Sequence, residues 1–340
     1  MKEKTTYKEI AVDWNNLKDK TIKLFWDQSI RQFWVDEEIS LVEDKKDWDK
    51  LTVEEKDTYE KVLAGLTLLD TVQGGIGMPL ILQKIKDLPT KAVLSFIGAM
   101  EQIHAKSYST IFSTLSSSER IKELFEWVQQ DENLQYKTLK IEEYYKKIRT
   151  KKDLFMALSA SVLLETFLFY SGFFYPLWFS GQGKLVGSGE IINLIIRDES
   201  VHGVFGGYLA QKIYKDFKEK DKEEVKNKVL NLMLELFENE LKYTETLYGN
   251  LKFINEFNKL TLKEEVNLFL KYNADKALMN LGFDPYFNVN DTQIHPTILN
   301  GLDTETKTHD FFSTKGNGYI KPLRHESLRD EDFEVLSYGE

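Results

Sequence analysis

The chain has no cysteine. Disulfide scaffolds, thiolate metal sites and cysteine nucleophiles are therefore excluded. Histidine is scarce, with five in 340 residues, so few imidazoles are available for chemistry. There is no basic excess: 45 Lys and Arg stand against 55 Asp and Glu, a net charge of −10. That balance is the opposite of a nucleic-acid footprint. The first residues, MKEKTTYKEIAVDW, lack an apolar core and a small-residue cleavage site, so no secretory signal is expected. No P-loop or G-x-G-x-x-G fingerprint is found. What the chain does have is apolar mass, 42% of residues with 13% aromatic. That is enough for a large core and too much for a disordered chain.

Proline is rare too, with Pro79, Pro89, Pro176, Pro285, Pro296 and Pro322 the full set. The long intervals between them are rich in Leu, Ala, Glu and Lys, which favour helix. Recurrent Asn-Gly or Asp-Gly hairpin turns are missing, so the body reads as all-α. Helices are expected near 53–84, 90–118, 150–180, 187–218, 222–252 and 261–281, with a shorter one over 119–130. Thr52 with Glu55, and Thr261 with Glu264, have capping-box spacing. Three units follow: an N-terminal arm over 1–45 containing Trp14, Trp26 and Trp34, a helical domain over 46–282, and an extended tail over 283–340. The run Leu154–Ser180 is long enough for a membrane span. Its Glu165 near the middle opposes that reading, and a helix buried on all faces explains the same composition.

Charges that interrupt apolar helices carry the functional signal. Asp70 is the only charge between Lys61 and Lys84, Glu101 the only one between Lys91 and Lys106, and Glu165 the only one in Leu154–Ser180. A buried carboxylate without a partner costs several kcal/mol or takes up a proton. Three such positions invite a shared cation. In AMEQIHAKSY, Glu101 precedes His104 by three, and in IIRDESVHGVF, Glu199 precedes His202 by three. On a helix, residues i and i+3 share a face. The remaining histidines, His295, His309 and His325, lie in the tail. Either motif alone also reads as a core histidine paired with a buried glutamate. The order is more specific: Asp70 precedes Glu101-x-x-His104 by 31 residues, and Glu165 precedes Glu199-x-x-His202 by 34. Two carboxylate-only helices and two E-x-x-H helices form the ligand set of a dimetal carboxylate site in a helix bundle. Hard oxygen ligands with two imidazoles suit iron or manganese.

With these residues in place, the sequence resembles the small, radical-generating subunit of class I ribonucleotide reductase, most closely the class Ib branch. The segments that carry the likeness are QFWVDEEISLVED, GLTLLDTVQGG, AMEQIHAKSYSTIF, LLETFLFYSGFFYPLW, IIRDESVHGVFGGY, YNADKALMNLGF and GNGYIK, in family order along nearly the whole chain. The resemblance implies a ferritin-like helical bundle with extra helices and an extended C-terminal tail. It implies metal ligation by Asp70, Glu101, His104, Glu165, Glu199 and His202, with two metal ions, Mn or Fe.

It also implies a stable radical on Tyr108, four residues after His104, where a tyrosine alone would read as packing. Phe169, Phe173 and Ile195 match the apolar pocket around that radical, and are also ordinary core residues. Trp34, Asp198 and Tyr319 match the radical-transfer path. Asp330, Glu331, Asp332 and Phe333 fit the acidic and aromatic tail that docks on the large catalytic subunit, although the ending VLSYGE departs from the branch's pattern.

The implied activity is that of a ribonucleoside-diphosphate reductase, an oxidoreductase of deoxyribonucleotide synthesis. The thiols that such a reduction needs would lie on the partner, since this chain has none. Implied partners are the large subunit, a flavodoxin-like activating protein and a second copy of the chain, with neither nucleic acid nor membrane, in the cytoplasm. Two other classes stand as alternatives: a ferritin-like dimetal oxidase of ligand-binding or desaturase type, which would use the same ligands, and a non-enzymatic ferritin-type iron store or helical interaction module. Tyr108, Trp34 and Tyr319 together favour the first reading.

Overall fold

The computed structural model describes residues 10–255 and 258–302. Among them there are α-helices, short 3₁₀ and π turns, one isolated bridge between Ile254 and Thr261, and no strand. The helices run in order as α1 (Lys20–Gln32), α2 (Asp44–Trp48), α3 (Val53–Val72), α4 (Met78–Leu82), α5 (Leu88–Leu115), α6 (Ser118–Gln130) and α7 (Glu132–Lys146). They continue as α8 (Lys151–Leu163), α9 (Tyr170–Ser180), α10 (Val186–Lys215), α11 (Glu219–Tyr248), α12 (Leu262–Asn280) and α13 (Pro296–Leu302). The all-α bundle expected from the sequence is therefore the fold.

Both predicted capping boxes close. Thr52 Oγ1 accepts from the Glu55 N–H at 3.2 Å while Glu55 accepts from the Thr52 N–H at 2.8 Å, and Thr261 and Glu264 repeat the arrangement. Asp87 caps α5 by accepting from the Thr90 N–H, and Pro89 sits in the first turn, where its missing N–H costs nothing. The start of α10 is fixed from a distance. Leu185 adopts φ +48° just before it, a strained conformation for a side chain with a Cβ. Asp44 on α2 then accepts from the Gly187 and Ser188 N–H groups at 2.9 and 2.7 Å and from the Ser188 hydroxyl at 2.6 Å. That carboxylate serves as the N-cap that α10 lacks in its own sequence.

Two long apolar stretches read from the sequence as single helices are each interrupted by a π turn. Gln73–Gly77 separates α3 from α4, and Leu164–Leu168 separates α8 from α9. Such wide turns are rare and concentrate at functional sites. Both stretches, Val53–Leu82 and Lys151–Ser180, are long and apolar enough to cross a membrane by length and composition. The apolar window of the second is 94% buried within the protein, as the core of a soluble bundle requires. α8 and α9 pack on α10, α3 packs on α5, and α1 lies across α5 and α10.

The arm reaches into this core. Trp34 is 3% exposed, and Trp26 packs its ring against Phe96 at 6.0 Å. Beyond α12, Ile294 and Ile298 are buried, and Asn193 Nδ2 donates to the Gly301 carbonyl at 2.6 Å. α13 therefore docks on α9 and α10, although its sequence shows no long periodic run.

Candidate metal centre

Four elements converge on one point. Asp70 lies in the last turn of α3, and Glu101 and His104 share a face of α5. Glu165 lies in the π turn after α8, and Glu199 and His202 share a face of α10. All six side chains are buried, His202 being the most exposed at 3%. Glycines allow the close approach. A Cβ at Gly74 would fall 2.7 Å from Glu101 Cβ and 3.0 Å from the Gly98 carbonyl oxygen. A Cβ at Gly203 would fall 2.3 Å from Thr166 Oγ1, so α10 closes on the π turn only without a side chain there.

The donor atoms divide into two overlapping sets. Asp70, Glu101, His104 and Glu199 offer one group of ligand atoms lying within 4.8 Å of one another, and Glu101, Glu165, Glu199 and His202 offer a second. Glu101 and Glu199 belong to both, as bridging carboxylates would. His104 Nδ1 lies 2.9 Å from Glu199 and 3.7 Å from Asp70, while His202 Nδ1 lies 2.8 Å from Glu101 and 3.6 Å from Glu199. Both oxygens of Asp70, Glu101 and Glu199, and Nδ1 of both histidines, nevertheless lack an aligned hydrogen bond. Buried polar atoms are normally satisfied. Eight orphans facing one another fit two cations. The four carboxylates would balance two divalent charges.

Without cations, protons carry the compensation. Burial pushes Asp70 and Glu165 well above the usual carboxylate range, helped by the charge of Glu101 beside each. Glu101 goes the other way: burial opposes it, but the imidazoles of His104 and His202, 3.8 and 2.8 Å away, lower it to about 2. Both imidazoles rise well above their ordinary range because their carboxylate partners outweigh desolvation.

On the far side of His104 lies a polar relay. His104 Nε2 is 3.1 Å from Asp198 Oδ2, and the same oxygen accepts from Trp34 Nε1 at 2.7 Å. The Trp34 and His104 rings stack at 6.0 Å and 20°. Asp198 thus fixes which imidazole nitrogen faces the centre, as partners of metal-binding histidines do. Tyr108 is fully buried, and its hydroxyl has no hydrogen-bond partner. Burial first, then the charge of Asp70, pushes that phenol well above its ordinary value. Phe169, Phe173 and Ile195 are fully buried, with the two rings 5.6 Å apart. Tyr319, Asp330, Glu331, Asp332 and Phe333 lie outside the described residues.

Three polar residues at the centre escaped the sequence reading: Gln73, Ser161 and Tyr145. Gln73 donates to Glu165 and to Ser161, and Tyr145 donates to Gln73. Gln73 was visible in principle, three residues after Asp70 and hence on the same helical face.

A helix bundle that buries four carboxylates and two imidazoles in two overlapping ligand sets defines the dimetal carboxylate proteins. Comparison with known proteins narrows that class. The family model for ribonucleotide reductase, small chain, matches residues 11–296. The ribonucleoside-diphosphate reductase subunit beta of Bacillus subtilis is 52% identical over 95% of this chain and 95% of its own. Ribonucleoside-diphosphate reductase 2 subunit beta of Escherichia coli is 39% identical over 95% of this chain and 97% of its own. The crystal structure of Streptococcus sanguinis dimanganese(II)-NrdF superposes with a TM-score of 0.82 at 42% identity, covering 87% of this chain and all of that one. The chain belongs to the ribonucleotide reductase small-chain family. It is the beta subunit of an oxidoreductase, a ribonucleoside-diphosphate reductase that works with a separate large subunit.

Proposed function

We propose that this subunit generates a radical on Tyr108 and passes the oxidising equivalent to the large subunit along Trp34 and Asp198. The observation that carries the proposal is the continuous line from Trp34 through Asp198 Oδ2 to His104, ending among the orphaned carboxylates beside Tyr108. Asp70, Glu101, His104, Glu165, Glu199 and His202 would hold two ions. Two manganese or iron ions held there would, once oxidised by an external oxidant, supply the one-electron oxidising power that a phenol requires. The dimanganese(II) relative from Streptococcus sanguinis supports manganese as the metal.

The residues of the chain do the rest. Tyr108 would lose one electron and its phenolic proton together, because the radical cation left by electron loss alone is too costly in an apolar core, whereas the deprotonated phenoxyl radical is neutral. Asp70, whose charge acts on that hydroxyl, would be the carboxylate to take the proton when bound cations keep it ionised. Phe169, Phe173 and Ile195, all fully buried, would line the apolar pocket that keeps water from such a radical. Asp198 orients His104 and holds the Trp34 indole N–H, so the hole can move between ring systems that are already in register. Tyr319 would continue the path, and the Asp330–Phe333 segment would dock on the large subunit. Family membership supports a homodimer, a flavodoxin-like activating partner and a cytoplasmic setting.

Electron paramagnetic resonance tests the reading. Metal-loaded, activated protein is expected to show a tyrosyl signal that Tyr108→Phe abolishes, along with turnover supported by the large subunit. A wild type without the signal, or a variant with undiminished turnover, would refute it.

A further inference from the structure

Glu165 is unlike the other carboxylates of the centre. Asp70, Glu101 and Glu199 each have two oxygens without an aligned hydrogen bond. Glu165 Oε1 is already engaged: it accepts from Gln73 Nε2, and from Ser161 Oγ at 3.3 Å. Gln73 Nε2 also donates to Ser161 Oγ at 2.8 Å, which closes a triangle of three side chains. The other end of the Gln73 amide accepts from the Tyr145 hydroxyl at 2.6 Å. None of these four side chains is more than 1% exposed, so water cannot replace any member.

We propose that Gln73, held by Tyr145, is a positioning residue that ties one oxygen of Glu165 and leaves only the other for the second cation. The inference rests on the dimetal reading above. Glu165 is thereby confined to ligation through a single oxygen, and the two cation positions become unequal. The second has a tethered carboxylate, and the first has Asp70 with both oxygens free.

Polarity fixes the arrangement. An amide turned the other way would set its oxygen against the carboxylate oxygen of Glu165, which bound cations would keep ionised. Tyr145, by donating to the amide oxygen, keeps the N–H₂ end toward Glu165. The backbone is shaped for the contact. A Cβ at Gly77 would fall 2.6 Å from Gln73 Oε1 and 2.6 Å from Tyr145 Cε2. Gly77 closes the same π turn that Gln73 opens, so the turn brings Gln73 to Glu165 and leaves room for the tyrosine ring.

Titration of the metal-free full chain with manganese(II), counting free ion by its paramagnetic resonance signal, tests the proposal. Wild type is expected to take two equivalents. Gln73→Leu, close in volume but without donors, should keep the first at wild-type affinity. It should weaken the second by about 10- to 100-fold, the usual loss when a ligand's hydrogen-bond partner is removed. The resonance signature of the fully loaded pair should change as well. Tyr145→Phe removes only a hydroxyl and should weaken the second equivalent in the same direction by a smaller factor. It carries the test alone if Gln73→Leu does not fold. Two wild-type equivalents in both variants would overturn the proposal. So would equal weakening of both equivalents with a lowered melting temperature, which marks a purely structural bond. A wild type that takes fewer than two equivalents would instead overturn the dimetal reading.

Discussion

Asp198 offers the sharpest test of how the centre is built, because one carboxylate oxygen serves both the arm and the metal ligand. Its Oδ2 accepts from Trp34 Nε1 at 2.7 Å and faces His104 Nε2 at 3.1 Å. Trp34 is 3% exposed and His104 fully buried, so neither group gains a water when the carboxylate goes. Asp198→Ala leaves two buried donors without an acceptor. Each orphan costs about 1–3 kcal/mol, so the expected loss is about 2–6 kcal/mol. Unfolding entropy of about 2 cal/mol/K per residue gives roughly 0.7 kcal/mol per degree for a chain of this length. The metal-free variant should therefore melt about 3–8 °C below wild type. Asp198→Asn keeps an acceptor oxygen of the same reach and should lose less than half as much. Both variants should bind manganese more weakly, by about 10- to 100-fold, because His104 loses the partner that orients it. Calorimetry on metal-free protein separates the first effect from the second. An Asp198→Ala protein that melts with wild type would show that the shared oxygen does not hold the arm, and the reasoning would fail.

Three other perturbations follow from the same geometry. Gly74→Ala would drive a methyl group against Glu101 Cβ and the Gly98 carbonyl. Overpacking of this kind costs about 1–3 kcal/mol, so urea should unfold the variant at a lower midpoint, with weakened metal uptake; wild-type values for both would refute the close approach. Saturating manganese, at about a hundredfold over its dissociation constant, contributes about 2.7 kcal/mol per site. Two sites raise the melting temperature by roughly 7–8 °C, and a chelator should remove the gain; coincident melting curves would exclude a dimetal site. Asp36 anchors the segment after Trp34 to α5 through Lys106 and Thr110. Burial pushes its carboxyl up, but these two hydrogen bonds outweigh it and hold the group below its ordinary 3.8. A depressed carboxylate stabilises the fold above its unfolded value and loses that contribution as pH falls through the folded one. Asp36→Asn should thus melt below wild type at pH 7, with the gap closing below about pH 3.8; a constant gap would refute the ion pair.

The ligands were legible because burying a charge in an apolar helix has a cost that shows in the sequence itself. Asp70, Glu101 and Glu165 each stand alone among apolar neighbours, and a three-residue spacing adds His104 and His202. The hydrogen-bond partners of those ligands leave no such mark. Gln73 carries no charge, so a search for misplaced charges passes over it, and Asp198 beside Glu199 was marked only by the family resemblance, since its partner Trp34 lies 164 residues away. Tyr145 was hidden for another reason. Its helix, α7, buries Leu134, Thr138, Ile141 and Tyr145 on one stripe, but Lys137 interrupts that stripe. The Lys137 ammonium is fully buried, 2.7 Å from Glu240 and 3.7 Å from the Tyr243 ring centre, so a residue that normally marks a solvated face marks the core instead. The π turns were masked by the opposite effect. When a helix is apolar on every side, periodicity carries no phase, and an extra residue per turn changes nothing that a pattern can register. Only the glycines at 74, 75 and 77 signal the first, and nothing in LETFL signals the second. What stays hidden in such a sequence is therefore the layer that aims the ligands, because an uncharged amide or phenol costs little until tertiary packing decides whether its partner is there.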